Sequence, residues 1–194
     1  MIIVFLISLF ICIFLHELAH LLVAKLIGCE VKVFSIGFGK PILFSKKIGN
    51  TIYQLTPWLF GGYCELKGEL KTTKAKNTFI NLPYRKKFMI TVAGCAINII
   101  IGGLTLILGL RFHIYYLYYF GYLSLVLGIS NLLPIAPCLD GGYIVYFPLF
   151  IKLFGKKKGF IIFAKSVRIS FLIIMMLNIL CIPLLINIII NNKP

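Results

Sequence analysis

Residues 2–27 read IIVFLISLFICIFLHELAHLLVAKLI, an apolar run that carries His16-Glu17-Leu18-Ala19-His20 in its second half. As a helix rising 1.5 Å per residue it reaches about 39 Å, enough to cross a hydrocarbon core of about 30 Å. No basic segment precedes it and it is too long for the apolar part of a secretory signal, so it is expected to be a retained span. Residues four apart share one helix face, so His16 and His20 can offer two imidazoles to one metal ion with Glu17 beside them. Two imidazoles and a third protein ligand leave a position on Zn2+ for water, the pattern of a catalytic rather than a structural site. Glu17 would then accept the proton of that water. The competing reading is two buried histidines and a glutamate hydrogen-bonded between helices. A charged side chain at mid-span costs roughly 2.5–3.5 kcal/mol on insertion scales, so that reading needs a partner for Glu17. His16 follows Ile2 by about 21 Å of helix, which puts the motif inside the membrane, displaced toward the cytoplasmic side.

The remainder of the chain agrees with a membrane setting. Of its 194 residues, 60% are hydrophobic and 13% charged, whereas soluble domains run near 45–50% and about 25%. That excludes a soluble globular domain, a disordered chain and a disulfide scaffold. Cys12, Cys29, Cys64, Cys95, Cys138 and Cys181 are scattered without a CxxC pair, so no disulfide framework is implied. The formal net charge is +15, from 20 Lys and Arg against five Asp and Glu. All the basic residues except Arg111 and Lys193 fall in or beside two intervals, Lys25 to Lys87 and Lys152 to Arg168. Loops rich in Lys and Arg stay in the cytoplasm. Such clusters beside anionic headgroups point to the lipid bilayer as partner, not to nucleic acid.

Further apolar runs at about 88–110, 117–133 and 169–190 complete about four transmembrane helices, with both termini outside and the basic loops cytoplasmic. Tyr115, Tyr116, Tyr118 and Tyr119 form an aromatic belt at the outer end of the third run. Between the first two runs, residues 29–66 look β-rich: Val31, Val33, Ile36 and Phe38 nearly alternate, and Gly49-Asn50 marks a turn. The expected fold is a membrane all-α core with a membrane-associated β-hairpin region on the cytoplasmic side. Residues 143–154 read as a short interfacial helix ended by Gly155. No repeat or linker divides the chain, so one polytopic domain is expected.

A metal centre needs a third ligand. His113 falls at the outer end of the second and third spans, on the wrong side. Asp140 is the better candidate, because Pro134, Pro137, Gly141 and Gly142 around it prevent a regular helix. Irregular backbone at membrane depth is tolerated where it is buried in protein or lines a wet cavity. A role for Asp140 as the cap of the following helix is the alternative.

These motifs resemble the site-2 proteases, a family of intramembrane zinc metalloproteases. His16, Glu17 and His20 match the HExxH of its first core helix. Asn131, Pro134, Asp140 and Gly141 match the Asn-Pro-Asp-Gly type motif of its third. Gly37-Phe38-Gly39-Lys40-Pro41 and Gly61-Gly62-Tyr63 look like the β region of the branch that includes the regulator of sigma-E protease. Ala93-Gly94-Cys95-Ala96-Ile97-Asn98 resembles that branch's AGPxxN, with Cys95 in place of proline. The interval from Leu66 to Tyr84 is too short for the PDZ domain that branch often carries. The stretch from Asn131 to Asp140 is one residue longer than the family's usual spacing. Either a bulge absorbs the extra residue, or Asp140 is turned and Cys138 stands nearer the metal.

The resemblance implies a bacterial cell-membrane enzyme that hydrolyses a peptide bond in or near the transmembrane segment of a membrane protein or peptide substrate. Its cofactor would be Zn2+, held by His16, His20 and Asp140, with Glu17 catalytic. A free hairpin edge around Val31 to Leu55 could hold the unwound substrate by strand addition. Asn98 and Asn131 are candidates for binding substrate backbone or the oxyanion, or else for ordinary hydrogen bonds between helices. Two other classes remain: a non-proteolytic membrane regulator that binds a membrane partner, and a metal transporter. The intact HExxH argues against the first. The second commonly shows repeats or paired broken helices, and the sequence has neither.

Overall fold

In the computed structural model, residues 2–69 and 76–191 are described. Lys71, Lys74 and Lys193, part of the charge pattern above, lie outside them, as does the middle of the interval from Leu66 to Tyr84. The chain divides into two compact units, Met1–Leu133 and Pro134–Pro194.

The first unit opens with α1, Ile2–Ile27, a run with neither proline nor glycine. It stops at Gly28, whose φ of 83° is the left-handed conformation that glycine accepts without a Cβ penalty. The Cys29 N–H then donates to the Ala24 carbonyl at 2.8 Å, closing the last turn. Four strands follow: β1 Val31–Phe38, β2 Phe44–Ile48, β3 Thr51–Leu55 and β4 Trp58–Leu66. Helices α2, Tyr84–Phe112, and α3, Tyr115–Leu132, complete the unit. His113, at φ 55°, caps α2 in the left-handed conformation and turns the chain into α3.

The β region is one mixed sheet in the order β2-β3-β1-β4. Gly49-Asn50 joins β2 and β3 as the expected hairpin, with Ile48 opposite Thr51. The strands are not otherwise paired as consecutive hairpins: β1 runs parallel to β3 and antiparallel to β4. With β1 and β3 interior, the edge expected around Val31 to Leu55 narrows to β2, and β4 is the second edge. The sheet rests against α1. The rings of Phe14 and Phe34 meet edge to face with centroids 6.2 Å apart, and Lys25 Nζ donates to the Tyr53 hydroxyl at 2.7 Å.

Burial in α1 follows the helix period. Ser8, Cys12, Ile13, His16, Glu17, His20, Leu21 and Ala24 are buried, while Ile3, Phe5, Ile7, Leu22 and Leu26 are exposed. In α2, Thr91 and Asn98 are buried and Ile100, Leu104, Ile107 and Leu110 are exposed. Polar groups inside and large apolar groups outside is the reverse of a water-surrounded helix, and it is the arrangement lipid favours. The segments Ile3–Ile27 and Tyr84–Phe112 are each long and apolar enough to cross a membrane. Helix α2 begins four residues before the apolar run because Tyr84 to Lys87 form a polar first turn: hydropathy marks where lipid begins, not where hydrogen bonding does. Where α2 crosses α3, a side chain at Gly102 would come within 2.8 Å of the Leu125 backbone nitrogen, so small residues set this close approach.

The second unit holds α4, Asp140–Asn191, which is interrupted at Gly155 with φ 74° and ψ 164°. The arm before Gly155 is helical where residues 143–154 were expected to be, but it starts three residues earlier, at Asp140, so Gly141 and Gly142 do not prevent a helix there. The basic interval after it is helical, not a loop. Phe160, Phe163 and Ala164, between Lys158 and Lys165, are buried. The Phe163 ring packs edge to face on Tyr143 and Phe147, with centroids 4.9 and 5.4 Å away. The apolar half of this amphipathic stretch thus has a partner within its own unit.

Candidate metal centre

His16 and His20 sit one turn apart on the buried face of α1, 7% and 8% exposed, with Glu17 between them at 9%. Their Nε2 atoms lie 3.2 Å apart and the two rings are nearly perpendicular, 79° between planes. The other nitrogen of each ring is engaged from α2. His20 Nδ1 donates to the Ile90 carbonyl at 2.7 Å, and His16 Nδ1 faces Asn98 Nδ2 at 3.4 Å. Held this way, both Nε2 atoms face one another, and the far nitrogen of His20 is fixed on a carbonyl as those of metal-binding histidines usually are.

Space for an ion is set by Gly94. A Cβ at that position would come within 2.7 Å of His16 Nε2 and would collide with His20 Nε2. A second glycine serves Glu17: a Cβ at Gly62 of β4 would lie 2.8 Å from Glu17 Cγ and 2.8 Å from the Ser35 carbonyl oxygen. Edge strand β4 therefore passes directly beside the glutamate. Cys64, also on β4, has its thiol pKa pushed up by burial, with the Glu17 carboxylate adding to the effect. Cys29 is raised to about 11, by burial first and then by Glu69 and Glu30. Both thiols are protonated at neutral pH and poor nucleophiles. At this end of the sheet Lys32 pairs with Glu65 at 3.2 Å and Lys67 with Glu30 at 2.5 Å.

Of the residues singled out in the sequence, the first unit brings together His16, Glu17, His20 and Asn98. Asn131 is half-buried in the last turn of α3 and is not part of this hydrogen-bonded chain. His113 is exposed at the end of α2. Asp140 belongs to the second unit, where it is the first residue of α4, after the irregular stretch that ends with the Leu139 N–H on the Ala136 carbonyl at 3.1 Å.

A family model described as peptidase family M50 matches residues 4–114, more than half of the chain and inclusive of His16, Glu17, His20, Gly94 and Asn98. The chain belongs to peptidase family M50. It is similar to a provisionally named zinc metalloprotease of Borreliella burgdorferi, at 45% identity over 98 residues that make up 45% of this chain and 22% of that protein. A protein of Campylobacter jejuni with the same kind of name is 38% identical over 46% of this chain and 25% of its own length. One of Chlamydia pneumoniae is 38% identical over 47% of this chain and 16% of its own length. The matches thus span a quarter or less of these relatives. Asp140 lies beyond the residues matched to family M50.

Three contributors to the site were not identified as such in the sequence. The Ile90 carbonyl carries no side-chain signal. Gly94 and Gly62 stood in recognisable motifs, but their role is the absence of a side chain, which becomes visible only when the facing residue is known.

Proposed function

We propose that this M50 chain is a zinc-dependent intramembrane peptidase that hydrolyses a peptide bond in or near the transmembrane segment of a membrane protein or peptide. The observation that carries this reading is the pair of imidazole Nε2 atoms, 3.2 Å apart on a helix long and apolar enough to cross a membrane, with the buried Glu17 next to His16 in the chain and the Cβ-less Gly94 against both rings.

His16 and His20 would hold the zinc through Nε2, with Asp140 as the third ligand expected from the sequence. Zinc supplies Lewis-acid polarisation of water and of the scissile carbonyl. The Glu17 carboxylate accepts a proton from the attacking water and returns it to the amide nitrogen as the C–N bond breaks. Water is consumed, and one carboxylate and one amine are produced. A helical substrate hides its carbonyls in its own hydrogen bonds, so it must unwind first. Strand β4, an edge whose Gly62 abuts Glu17, offers backbone groups to an extended segment, replacing the bonds lost on unwinding.

The exposed Ile42 and Leu43 just before β2 and Phe44 at its start face the lipid in this reading. The four helices make a multi-pass protein of the bacterial cell membrane, with its termini outside and its basic segments against cytoplasmic headgroups. The reading is tested on the purified chain with a membrane-spanning peptide substrate. The parent holds about one zinc per chain and cleaves; Glu17→Gln keeps the zinc and loses cleavage; His20→Ala loses both. Cleavage by Glu17→Gln at the parent rate would overturn it.

A further inference from the structure

Asn98 is 1% exposed, and α3 fixes its backbone. Ser124 Oγ donates to the Asn98 carbonyl at 2.9 Å, and a Cβ at Gly128 would lie 3.1 Å from the Asn98 Cβ. Its amide faces His16 Nδ1 through Nδ2, and its Oδ1 is buried with no hydrogen-bond partner among the described residues. A buried acceptor left without a partner is a cost that a fold seldom bears without a use for it.

The hydrogens of the histidine pair follow from what each partner can do. The Ile90 carbonyl only accepts, so neutral His20 carries its hydrogen on Nδ1 and leaves Nε2 bare. His16 has two options. With the Asn98 N–H pointing at Nδ1, the hydrogen of His16 sits on Nε2 and is donated to His20 Nε2. The chain then runs unbroken from Asn98 through His16 and His20 to Ile90. In that state the pair satisfies itself, and one of the two metal-facing nitrogens carries a hydrogen. Metal ligation needs both Nε2 lone pairs, which moves the His16 hydrogen to Nδ1. The amide N–H would then face another N–H. A half-turn of the amide about χ2 exchanges its two ends, and Oδ1, the orphan of the first state, accepts the Nδ1–H.

We propose that Asn98 is a positioning residue for the zinc centre: by accepting from His16 Nδ1 through Oδ1 it holds that ring in the metal-binding tautomer, and its amide turns when the metal is released. The inference rests on the metal-centre reading given above, and it assigns Asn98 to the ligand, not to substrate or oxyanion. Outer partners of ligating histidines are typically worth 10–100-fold in metal affinity.

The test is the zinc dissociation constant of the full chain in detergent, read by competition with a chromophoric chelator. Asn98→Leu removes both ends of the amide at similar volume, and Asn98→Ala does so with a smaller residue. Both are expected to bind zinc 10–100-fold more weakly, with helical circular dichroism unchanged. Asn98→Asp can accept but not donate, and it is expected to stay within about threefold of the parent. A merely structural asparagine, or one that donates to an oxyanion, gives no such rescue. Parent-like affinity in the Leu and Ala variants, or a loss in Asn98→Asp equal to theirs, overturns the proposal. Equal zinc binding by the parent and His20→Ala would instead overturn the metal centre itself, a separate failure.

Discussion

Two stretches of this chain are proposed to carry the chemistry, and they differ in how their geometry arises. His16 to His20 lies within an unbroken apolar helix, where the period of 3.6 residues alone puts both imidazoles on one face. Asn131 to Asp140 runs through two prolines at the end of one helix and the start of another, so no period relates its side chains. In the first stretch, spacing in the sequence is spacing in space. In the second, each residue's direction depends on turns that a motif does not encode. The first can be tested by disturbing its surroundings, the second only by removing candidates one at a time.

The largest effect is expected in the second stretch. Asp140→Asn should weaken zinc binding by at least about 100-fold, since a three-ligand site spreads its binding energy over few donors. Cys138→Ala should leave the affinity unchanged. The reverse result, measured by the same chelator competition, would make Cys138 the ligand and Asp140 a helix cap. In the first stretch, Gly94→Ala drives a methyl group against both Nε2 atoms. Zinc affinity should fall by roughly 10–100-fold as the rings are pushed from their partners. A smaller and different change is expected for Gly62→Ala, whose Cβ meets Glu17 rather than the histidines. Zinc content should hold while the cleavage rate falls about 10-fold, since general base catalysis depends on the position of the carboxylate. Loss of metal in this variant would show that Glu17 supports the ligands and not only the proton transfer.

The same contrast explains what could be read from the residues alone. Helix α1 and its His-Glu-His face were legible because a long apolar run and a fixed period leave few alternatives. The hairpin of β2 and β3 was legible because Gly49-Asn50 is a local signal. The parallel pairing of β1 with β3 was not, because nothing local distinguishes it from a second hairpin. Residues 156–168 looked like a basic loop because their lysines outweigh the phenylalanines. Only the rings of Tyr143 and Phe147 on the preceding arm show what the buried Phe163 packs against. Asn98 was visible as a polar residue in a span, but its role depends on His16, which is 82 positions away and pairs with it only once α1 and α2 pack.

The most direct measurement is the zinc X-ray absorption spectrum of the metal-loaded protein. Nitrogen and oxygen neighbours are expected at about 2.0–2.1 Å, with outer-shell scattering from two imidazoles and no sulfur. A sulfur neighbour at about 2.3 Å, or the absence of imidazole scattering, would contradict it.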